Sequence, residues 1–376
     1  MSVSPSLDEM FARFDQTQVE RAIAELRAGR PVVLREDGAV LVTTAEAAVG
    51  GLSLDLPALA QGQSRLVLAP GRLRRLGQDR QSAGVIALPT LDLGRIETLA
   101  LRVDGKIDAP VSPATAIDVA GLDLAATSLL LPAVIVTPLS PETADALIGR
   151  GVAVTTPDAL ARYRRSAATS VTLVSRAPVP LEGAGESEFV VFRGGEGLRD
   201  QVAIVVGKPD LAKPVIVRLH SACLTGDLFG SLKCDCGDQL RGAVKFMAEN
   251  GGGVLLYLDQ EGRGNGIANK IRAYKLQSEG WDTYDADEVL GFGLDQRHFG
   301  YAAEMLKQLG VSQVAIMTNN PLKIAALKAA GLQVVDDLRL NGRPTSENVL
   351  YLAAKRDRAG HFIDLETLVA RKPIQD

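Results

Sequence analysis

All three cysteines of this 376-residue chain, Cys223, Cys234 and Cys236, fall within residues 223–236. An odd number of cysteines argues against a disulfide framework. Thiolates are soft ligands that suit Zn²⁺, and a tetrahedral ion with three protein ligands keeps one position open for water. Such a water ionises near neutral pH and supplies a hydroxide nucleophile. The cluster therefore predicts a zinc centre, with Gly237 letting the chain turn away after the last sulfur.

A closed, structural zinc site is the alternative interpretation of the same cluster. His220 lies three residues before Cys223 and offers an imidazole as a fourth ligand. Four protein ligands would complete the tetrahedron and exclude a reactive water. The spacing alone leaves the catalytic and the structural site both open, and unrelated buried cysteines are a third, less favoured interpretation.

The composition excludes several broad classes of protein. Hydrophobic residues make up 46% and charged residues 23% of the chain, which is typical of a soluble globular protein. The net charge of −4 argues against a general nucleic-acid coat protein. The longest apolar run, Leu129–Val136, contains Pro132 and is shorter than the about 20 residues that span a bilayer. Because no basic start leads into an apolar stretch, we expect a cytoplasmic protein without nucleic-acid or membrane partners.

The hydrophobic pattern predicts two domains, 1–165 and 166–376, with the composition shift over Ser166–Ser187 as a linker or a first edge strand. The first domain offers no cysteine and no glycine-rich phosphate loop. In it we predict one helix and four strands: Thr17–Gly29, then Val32–Leu34, Ala39–Thr43, Arg65–Ala69 and Leu129–Val136.

The second domain alternates strands with helices, which predicts a mixed α/β fold in which helices pack on an at least partly parallel sheet. The predicted strands are Pro214–Arg218, Val254–Leu258, Gln313–Thr318 and Leu332–Val335. The predicted helices are Asp238–Asn250, Asn269–Glu279, Phe299–Leu309 and the segment from Pro321 to Gly331.

A glycine-rich turn, Gln260–Gly266, directly follows the predicted strand Val254–Leu258. Such a turn at the carboxyl end of a strand is a common place for a phosphate or a nucleotide. Arg263 would donate to phosphate oxygens, and Glu261 would accept from a base edge or a metal-bound water. The turn lacks the Lys-Ser/Thr of a P-loop, so a plain solvated loop is the alternative.

Two further polar segments are candidates for ligand contacts. In Asp295-Gln296-Arg297-His298, an acid two residues before a guanidinium could form a proton acceptor beside a phosphate clamp. A surface ion pair opening the next helix is the alternative. In Thr318–Lys323 the first and last side chains could hold a ligand at a helix start, and ordinary capping is the alternative.

These pieces, in this order, resemble GTP cyclohydrolase II from about residue 170 to about residue 358. The resemblance rests on six motifs: Arg218-Leu219-His220-Ser221-Ala222-Cys223-Leu224-Thr225-Gly226-Asp227, Ser231-Leu232-Lys233-Cys234-Asp235-Cys236-Gly237, Gln260-Glu261-Gly262-Arg263, Asn269-Lys270-Ile271-Arg272-Ala273-Tyr274, Leu290-Gly291-Phe292 and Thr318-Asn319-Asn320-Pro321. The resemblance implies a layered α/β/α domain and a catalytic metal on Cys223, Cys234 and Cys236. It implies Asp295 as proton acceptor, Arg297 as nucleophile and Tyr274 as active-site tyrosine. The implied substrate contacts are Arg218, Leu219, His220, Ser221, Ala222, Gln239, Glu261, Gly262, Arg263, Thr283, Thr318 and Lys323.

The activity that this resemblance implies is the first step of riboflavin biosynthesis. GTP would be hydrolysed to 2,5-diamino-6-(5-phosphoribosylamino)pyrimidin-4-one, formate and pyrophosphate (EC 3.5.4.25). The resemblance further implies one Zn²⁺ per subunit, Mg²⁺ on the substrate phosphates and a homodimer. The chain departs from the family at Ala222, Asp259 and Asn265, where Glu, Arg and Ile often stand, which changes the charge near the nucleotide.

Two alternatives to that activity stay open at this point. One is a related cyclohydrolase that stops at a formamidopyrimidine product or acts in pyrimidine catabolism, although the presence of Tyr274 favours the full reaction. The other is a non-enzymatic nucleotide or nucleic-acid module built on a structural zinc site. Its marker would be His220 on the metal together with a basic surface.

The first domain is similar to 3,4-dihydroxy-2-butanone-4-phosphate synthase in its opening helix and in Val32-Val33-Leu34. That family continues with an acidic run, Asp-Asp-Glu-x-Arg-Glu-Asn-Glu-Gly-Asp. Here Arg35-Glu36-Asp37-Gly38-Ala39-Val40-Leu41 stands instead. Because a divalent ion needs several oxygen ligands, we expect a degenerate first domain that does not catalyse.

Overall fold

The structure, a computed structural model, describes residues 7–51, 62–167, 169–195, 197–293, 295, 297–340, 342–343 and 345–363. It consists of two compact units. The first contains residues 1–165 and 285–294, and the second contains residues 166–284 and 295–376. No helix among the described residues is long and apolar enough to cross a membrane.

The first unit is a seven-stranded sheet with helices. Its helices are α1 (Leu7–Arg27), α2 (Ala45–Val49), α3 (Pro70–Arg75), α4 (Leu93–Ala100), α5 (Ala116–Thr127), α6 (Pro141–Gly149) and α7 (Pro157–Ala167). Its strands are β1 (Val32–Arg35), β2 (Ala39–Thr44), β3 (Ser64–Leu68), β4 (Gly84–Leu88), β5 (Ser112–Pro113), β6 (Ala133–Leu139) and β7 (Val154–Thr155). The strand order is β5-β4-β3-β6-β2-β1-β7, and only the β1–β7 pair is parallel.

The second unit is built on another seven-stranded sheet. Its strands are β8 (Val171–Pro178), β9 (Ser187–Gly194), β10 (Gln201–Val206), β11 (Val215–Ser221), β12 (Gly253–Leu258), β13 (Gln313–Met317) and β14 (Gln333–Leu338). Its helices are α8 (Leu224–Asp227), α9 (Cys236–Glu249), α10 (Ile267–Ser278), α11 (Thr283–Val289), α12 (Gly300–Gln308), α13 (Pro321–Ala329) and α14 (Val349–Ala359). Residues 285–289 of α11 belong to the first unit.

The second sheet has the order β14-β13-β11-β12-β10-β9-β8 and combines two halves. The pairs β14–β13, β13–β11 and β11–β12 are parallel, whereas β12–β10, β10–β9 and β9–β8 are antiparallel. Helices cover both faces. On one face Tyr301, Met305 and Leu327 of α12 and α13 pack against the sheet, and on the other Val244 and Met247 of α9 do so. The unit is therefore a layered α/β/α domain.

The parallel half determines where chemistry can occur. Strands β11, β12 and β13 end at Ser221, Leu258 and Met317, with Ser221 opposite Leu258 in register. In an open α/β sheet, ligands bind beyond the carboxyl ends of parallel strands. The cysteine segment, the glycine-rich turn and the Thr318 segment all begin at this edge, each within a few residues of its strand.

The predicted mixed α/β class is confirmed, and one predicted strand begins in the wrong place. The run Leu129–Val136 was expected to be a single strand, yet β6 begins at Ala133. Helix α5 ends at Thr127, and Leu129 lies in the left-handed region with a φ of 57°. Apolar residues that close a helix and open a strand look alike in sequence, because hydrophobicity alone does not mark the turn between them. The Ser166–Ser187 stretch contains β8, the edge strand of the second sheet.

Candidate metal centre and nucleotide site

The three cysteines converge at the carboxyl end of β11. Their Sγ atoms lie within 4.8 Å of one another, and the sulfurs of Cys223 and Cys234 are 3.6 Å apart. Cys223 lies two residues after the end of β11, whereas Cys236 is the first residue of α9. Among the described residues, this is the one group of three or more cysteine, histidine or acidic side chains placed to hold a metal ion. Three thiolates suit Zn²⁺ and leave a fourth tetrahedral position for another ligand.

Gly226 makes this convergence sterically feasible. A Cβ placed on Gly226 would lie 2.6 Å from the Cys234 sulfur and 3.0 Å from the Cys223 sulfur. A Cβ on Gly237 would in turn collide with the carbonyl oxygen of Gly226. The two glycines therefore allow α8 and the start of α9 to meet backbone to backbone, with the sulfurs gathered around them.

Asp227 engages the Nε2 atom of His220, the residue that the closed-site alternative requires as a fourth ligand. The Nε2 atom of His220 lies 3.0 Å and 3.1 Å from the two Asp227 carboxylate oxygens, and His220 is not part of the sulfur group. The same carboxylate accepts from the backbone N–H of Cys223 at 2.9 Å and from the Tyr257 hydroxyl at 3.0 Å. Burial lowers the pKa of His220 despite the neighbouring carboxylate. This network fixes the Cys223 backbone and holds the His220 ring by its Nε2 atom.

The thiols share their protons unequally. Hydrogen bonds from Cys234 and Cys236, and then the charge of Lys270, lower the pKa of Cys223 although burial opposes them. The hydrogen bond to Cys223 raises the pKa of Cys234 to about 11. The Cys223 thiolate is therefore stabilised before a metal ion binds. This favours metal binding, because the thiolate is the form that coordinates a metal.

Two residues next to the sulfurs were not among the site residues predicted from the sequence. Lys270 donates to the Cys223 sulfur at 3.0 Å and to Glu261 Oε1 at 2.7 Å, and Asp227 forms the network around His220. Lys270 stands four residues before Tyr274 on α10, so both side chains share one helix face. That spacing is a signal that the sequence offered for Lys270, whereas nothing local distinguished Asp227.

Tyr274 lies beside the sulfur cluster through Thr225. The Tyr274 hydroxyl is 3.4 Å from Thr225 Oγ1, which is 3.9 Å from the Cys223 sulfur. The ammonium groups of Lys233 and Lys270 lie 5.3 Å and 5.6 Å from the centroid of the tyrosine ring. Burial raises the pKa of Tyr274 to about 12, so its hydroxyl is protonated at neutral pH and can donate.

The glycine-rich turn adopts an unusual backbone. Gly262, Arg263, Gly264 and Gly266 have φ values of 61°, 60°, 87° and 85°, all in a region that L side chains rarely adopt. The Arg263 guanidinium carbon lies 4.1 Å from the centroid of the Tyr284 ring. Within the turn, the N–H groups of Gly264, Asn265 and Gly266 donate to carbonyl oxygens of the same turn, so its unusual backbone is closed by its own hydrogen bonds.

Asp295 and Arg297 form a two-pronged ion pair. Arg297 donates from Nε and Nη2 to the two Asp295 oxygens at 2.8 Å and 2.6 Å, and from Nη1 to Ser221 Oγ at 3.1 Å. Burial would raise the pKa of Asp295, but the hydrogen bonds and charge of Arg297 outweigh burial and lower that pKa. This buried pair reaches the end of β11 rather than lying on the surface.

Two more buried cations lie near the same edge. Arg218 on β11 donates to the Gln239 amide oxygen at 2.6 Å, and Lys323 on α13 donates to the Leu219 carbonyl oxygen at 2.6 Å. Burial, followed by the charges of Arg297 and Arg218, lowers the pKa of Lys323 well below its ordinary value. Each of these two buried cations is held by a hydrogen bond to an amide or carbonyl oxygen.

The remaining predicted contacts differ in what they expose. The side chain of Leu219 lies in the hydrophobic core, and Ala222 is buried with its N–H on the Leu258 carbonyl oxygen. The Thr318 hydroxyl accepts from the Asn320 N–H at 3.0 Å, so it caps the turn before α13. Thr283 is the first residue of α11. The Ala222 N–H and the Leu219 carbonyl oxygen are thus already engaged in hydrogen bonds within the protein.

Gly226 provides a direct test of the metal centre. We expect Gly226→Ala to weaken Zn²⁺ binding by about tenfold or more, because the new methyl group pushes the sulfurs apart. Gly242→Ala on α9 is the matched control, since its Cβ would meet its nearest neighbour at an ordinary 3.7 Å. Competition with a chelator measures both affinities. Equal zinc affinities for the two variants would contradict the proposed role of Gly226.

Comparison of the sequence with known proteins places this chain in a family. The family model for GTP cyclohydrolase II matches residues 172–339. A GTP cyclohydrolase-2 of Xylella fastidiosa (strain 9a5c) is 45% identical over 358 residues, covering 93% of this chain and 88% of that protein. One from Azospirillum brasilense is 40% identical over 369 residues, covering 92% of this chain and 93% of that protein. Both alignments include most of the first unit as well as the second.

Two other matches cover the chain differently. Riboflavin biosynthesis protein RibBA of Bacillus cereus (strain G9842) is 44% identical over 206 residues, covering 55% of this chain and 52% of that protein. The crystal structure of RibBX, a two-domain 3,4-dihydroxy-2-butanone 4-phosphate synthase from A. baumannii, matches 86% of this chain and 99% of that chain at 18% identity. Its TM-score of 0.32 is too low to establish a shared fold. On the strength of the two long alignments, the chain belongs to the GTP cyclohydrolase II family.

Proposed function

We propose that this chain hydrolyses GTP to 2,5-diamino-6-(5-phosphoribosylamino)pyrimidin-4-one, formate and pyrophosphate in a zinc-dependent reaction. The family acts at the first step of riboflavin biosynthesis. The observation that carries the proposal is the group of three sulfurs within 4.8 Å of one another, with His220 engaged by Asp227 instead of joining them. That arrangement supplies three protein ligands and leaves the fourth position for chemistry.

The donor set fits Zn²⁺ on chemical grounds. Cys223, Cys234 and Cys236 would hold the ion, and Gly226 and Gly237 would keep the space beside the sulfurs clear. When bound there, Zn²⁺ would supply an activated water near neutral pH and Lewis-acid chemistry at the guanine carbon that is hydrated. The protein's own contribution is to orient the purine and to move protons beside it.

Tyr274 is the proposed proton donor at the opening imidazole ring. Its pKa of about 12 keeps the proton in place until a more basic nitrogen forms on the substrate. The Thr225 hydroxyl, 3.4 Å away, fixes the direction of the phenol. A tyrosine in this position favours the full reaction over a related enzyme that stops at the formamidopyrimidine. The mass of the product formed from GTP separates these two activities.

The triphosphate requires several positive charges at one place. Arg263 and Lys323 are the proposed protein contacts to the phosphates, and Mg²⁺ would supply further positive charge there. We propose that the guanine and ribose side of the nucleotide contacts Arg218, Gln239 and Glu261 of the glycine-rich turn. His220, Ser221, Gly262, Thr283 and Thr318, together with the backbone of Leu219 and Ala222, complete the proposed contact set.

Removal of one sulfur is the most direct test of the metal requirement. We expect Cys234→Ser to lose its zinc and to slow formate release more than about a hundredfold, beyond the roughly 10–100-fold typical of residues that only support a ligand. Metal analysis and a formate assay on the same preparation measure both. Normal formate release from zinc-free Cys234→Ser would refute the proposed chemistry.

We propose that Arg297 clamps the α-phosphate and that Asp295 orients it. The pKa of a guanidinium lies above about 12, so the group keeps its proton at neutral pH and has no free electron pair to offer as a nucleophile. The Asp295 carboxylate strengthens this property, because it raises the pKa of Arg297 although burial opposes the shift. The family role as a covalent nucleophile would instead require Asp295 to remove a proton from Arg297.

Trapping experiments separate the clamp from the nucleophile. We expect Arg297→Ala to lower kcat/KM by about 10²–10³, as loss of a charge-stabilising donor does, while quenched wild-type enzyme carries no phosphoamide on Arg297. Arg193→Ala, an exposed change, is the control and should stay near wild type. Mass spectrometry of enzyme quenched during turnover detects the adduct. A phosphoamide that is absent from Arg297→Ala would establish the nucleophile instead.

We also propose that the chain forms a cytoplasmic homodimer and that its first unit does not synthesise dihydroxybutanone phosphate. The homodimer rests on the family resemblance, whereas the inactive first unit is supported by the tight hairpin that replaces the acidic run. Arg35 pairs with Ala39 between β1 and β2, and Glu36 N–H donates to the Gly38 carbonyl oxygen at 2.8 Å. The Arg35 side chain forms an ion pair with Asp145 where that family would place carboxylates.

The full-length protein should therefore convert GTP but not ribulose 5-phosphate. With Mg²⁺ present, we expect no dihydroxybutanone phosphate above the uncatalysed background, because too few oxygen ligands stand at the hairpin. Nuclear magnetic resonance of the reaction mixture measures this product, and formate release from GTP in the same preparation is the control. Enzymatic formation of dihydroxybutanone phosphate would show that the first unit is active.

A further inference from the structure

Lys270 connects the metal centre with the glycine-rich turn. Its ammonium lies 3.0 Å from the Cys223 sulfur and 2.7 Å from Glu261 Oε1, and its side chain is only 11% exposed. The other Glu261 oxygen accepts from the Leu224 N–H at 2.6 Å. One buried lysine thus joins a proposed zinc ligand to a proposed nucleotide contact.

The fold holds this lysine in position from its backbone outward. A Cβ on Gly262 would lie 3.2 Å from the Cβ of Lys270, so glycine lets the turn pack closely on α10. A lysine ammonium has three donors, so one can bond the sulfur while another bonds the carboxylate.

A cation that donates to a ligating thiolate changes the metal itself. Three thiolates and one Zn²⁺ sum to a single negative charge, which weakens the ion as an electron acceptor. Hydrogen bonds from outside the ligand set orient ligands and tune the metal that they hold. Hydrogen bonds to sulfur in particular shift the electronic properties of metal–thiolate centres.

We propose that Lys270 is a positioning residue. It draws electron density from the Cys223 sulfur, and through Glu261 it links that sulfur to the glycine-rich turn. This inference rests on the proposed function, because it requires a metal on the three cysteines. Lys270 therefore acts on the reaction through the metal ligand and not through contact with the guanine.

Cobalt substitution makes the effect visible apart from activity. In full-length protein loaded with Co²⁺, sulfur-to-metal charge transfer gives an absorption band whose energy falls when a thiolate loses a hydrogen bond. We expect Lys270→Met to move this band to longer wavelength and Lys270→Gln, which keeps a neutral donor, to move it less. In the zinc enzyme we expect kcat to fall about 10–100-fold in Lys270→Met.

Two control variants separate this effect from general damage. Lys275→Met removes an exposed lysine from the same helix and should leave the band and kcat unchanged. Glu261→Gln leaves Lys270 on the sulfur, so we expect the band to stay in place while KM for GTP rises. Circular dichroism establishes whether each variant is folded. If Lys270→Met does not fold, the shift of the band in Lys270→Gln is the test.

The outcomes distinguish this inference from the proposed function. A band that stays at the wild-type wavelength in folded Lys270→Met or Lys270→Gln overturns the role of Lys270 and leaves the cysteine site intact. Wild-type protein without a sulfur-to-cobalt band overturns the cysteine metal site and, with it, the role of Lys270.

Discussion

The close approach of Gly226 to Gly237 is the contact on which the candidate centre depends. One glycine belongs to the short helix after β11 and the other to the first turn of α9. Because neither carries a side chain, the two backbones touch and three sulfurs gather beside them. Asp227 then secures the same turn by accepting from the Cys223 N–H. The metal-binding geometry is thus a property of backbone packing, which side-chain identity alone does not reveal.

Around that contact, charged side chains lie in pairs of opposite sign. Lys270 donates to the Cys223 sulfur and to Glu261, whereas Arg297 donates to Asp295. Burying a charge is costly unless it is paired, so such a concentration is typical of a functional site and unusual in a structural core.

The sequence predicted the parts of this site better than their connections. Strand–helix alternation located the sheet of the second unit, and motif order located the cysteines, because both are local patterns. The beginning of β6 was missed, since Leu129–Leu131 continue the apolar pattern without being strand. The His220–Asp227 contact and the Lys270–Cys223 contact depend on tertiary packing, and spacing left His220 open as a ligand. Which residues share an edge follows from strand register, which no local pattern encodes.

Arg263 has a consequence for how this loop can evolve. A non-glycine residue at a φ of 60° is strained by about 1 kcal/mol or more, and a β-branched side chain there would be strained further. Few residue types are therefore tolerated at this position. The backbone conformation disfavours valine, isoleucine and threonine whether or not a ligand is bound. Glycine would relax the turn but would forfeit the guanidinium over Tyr284. Divergence of substrate preference among descendants of this chain should consequently accumulate at neighbours such as Asn265, whose backbone is ordinary.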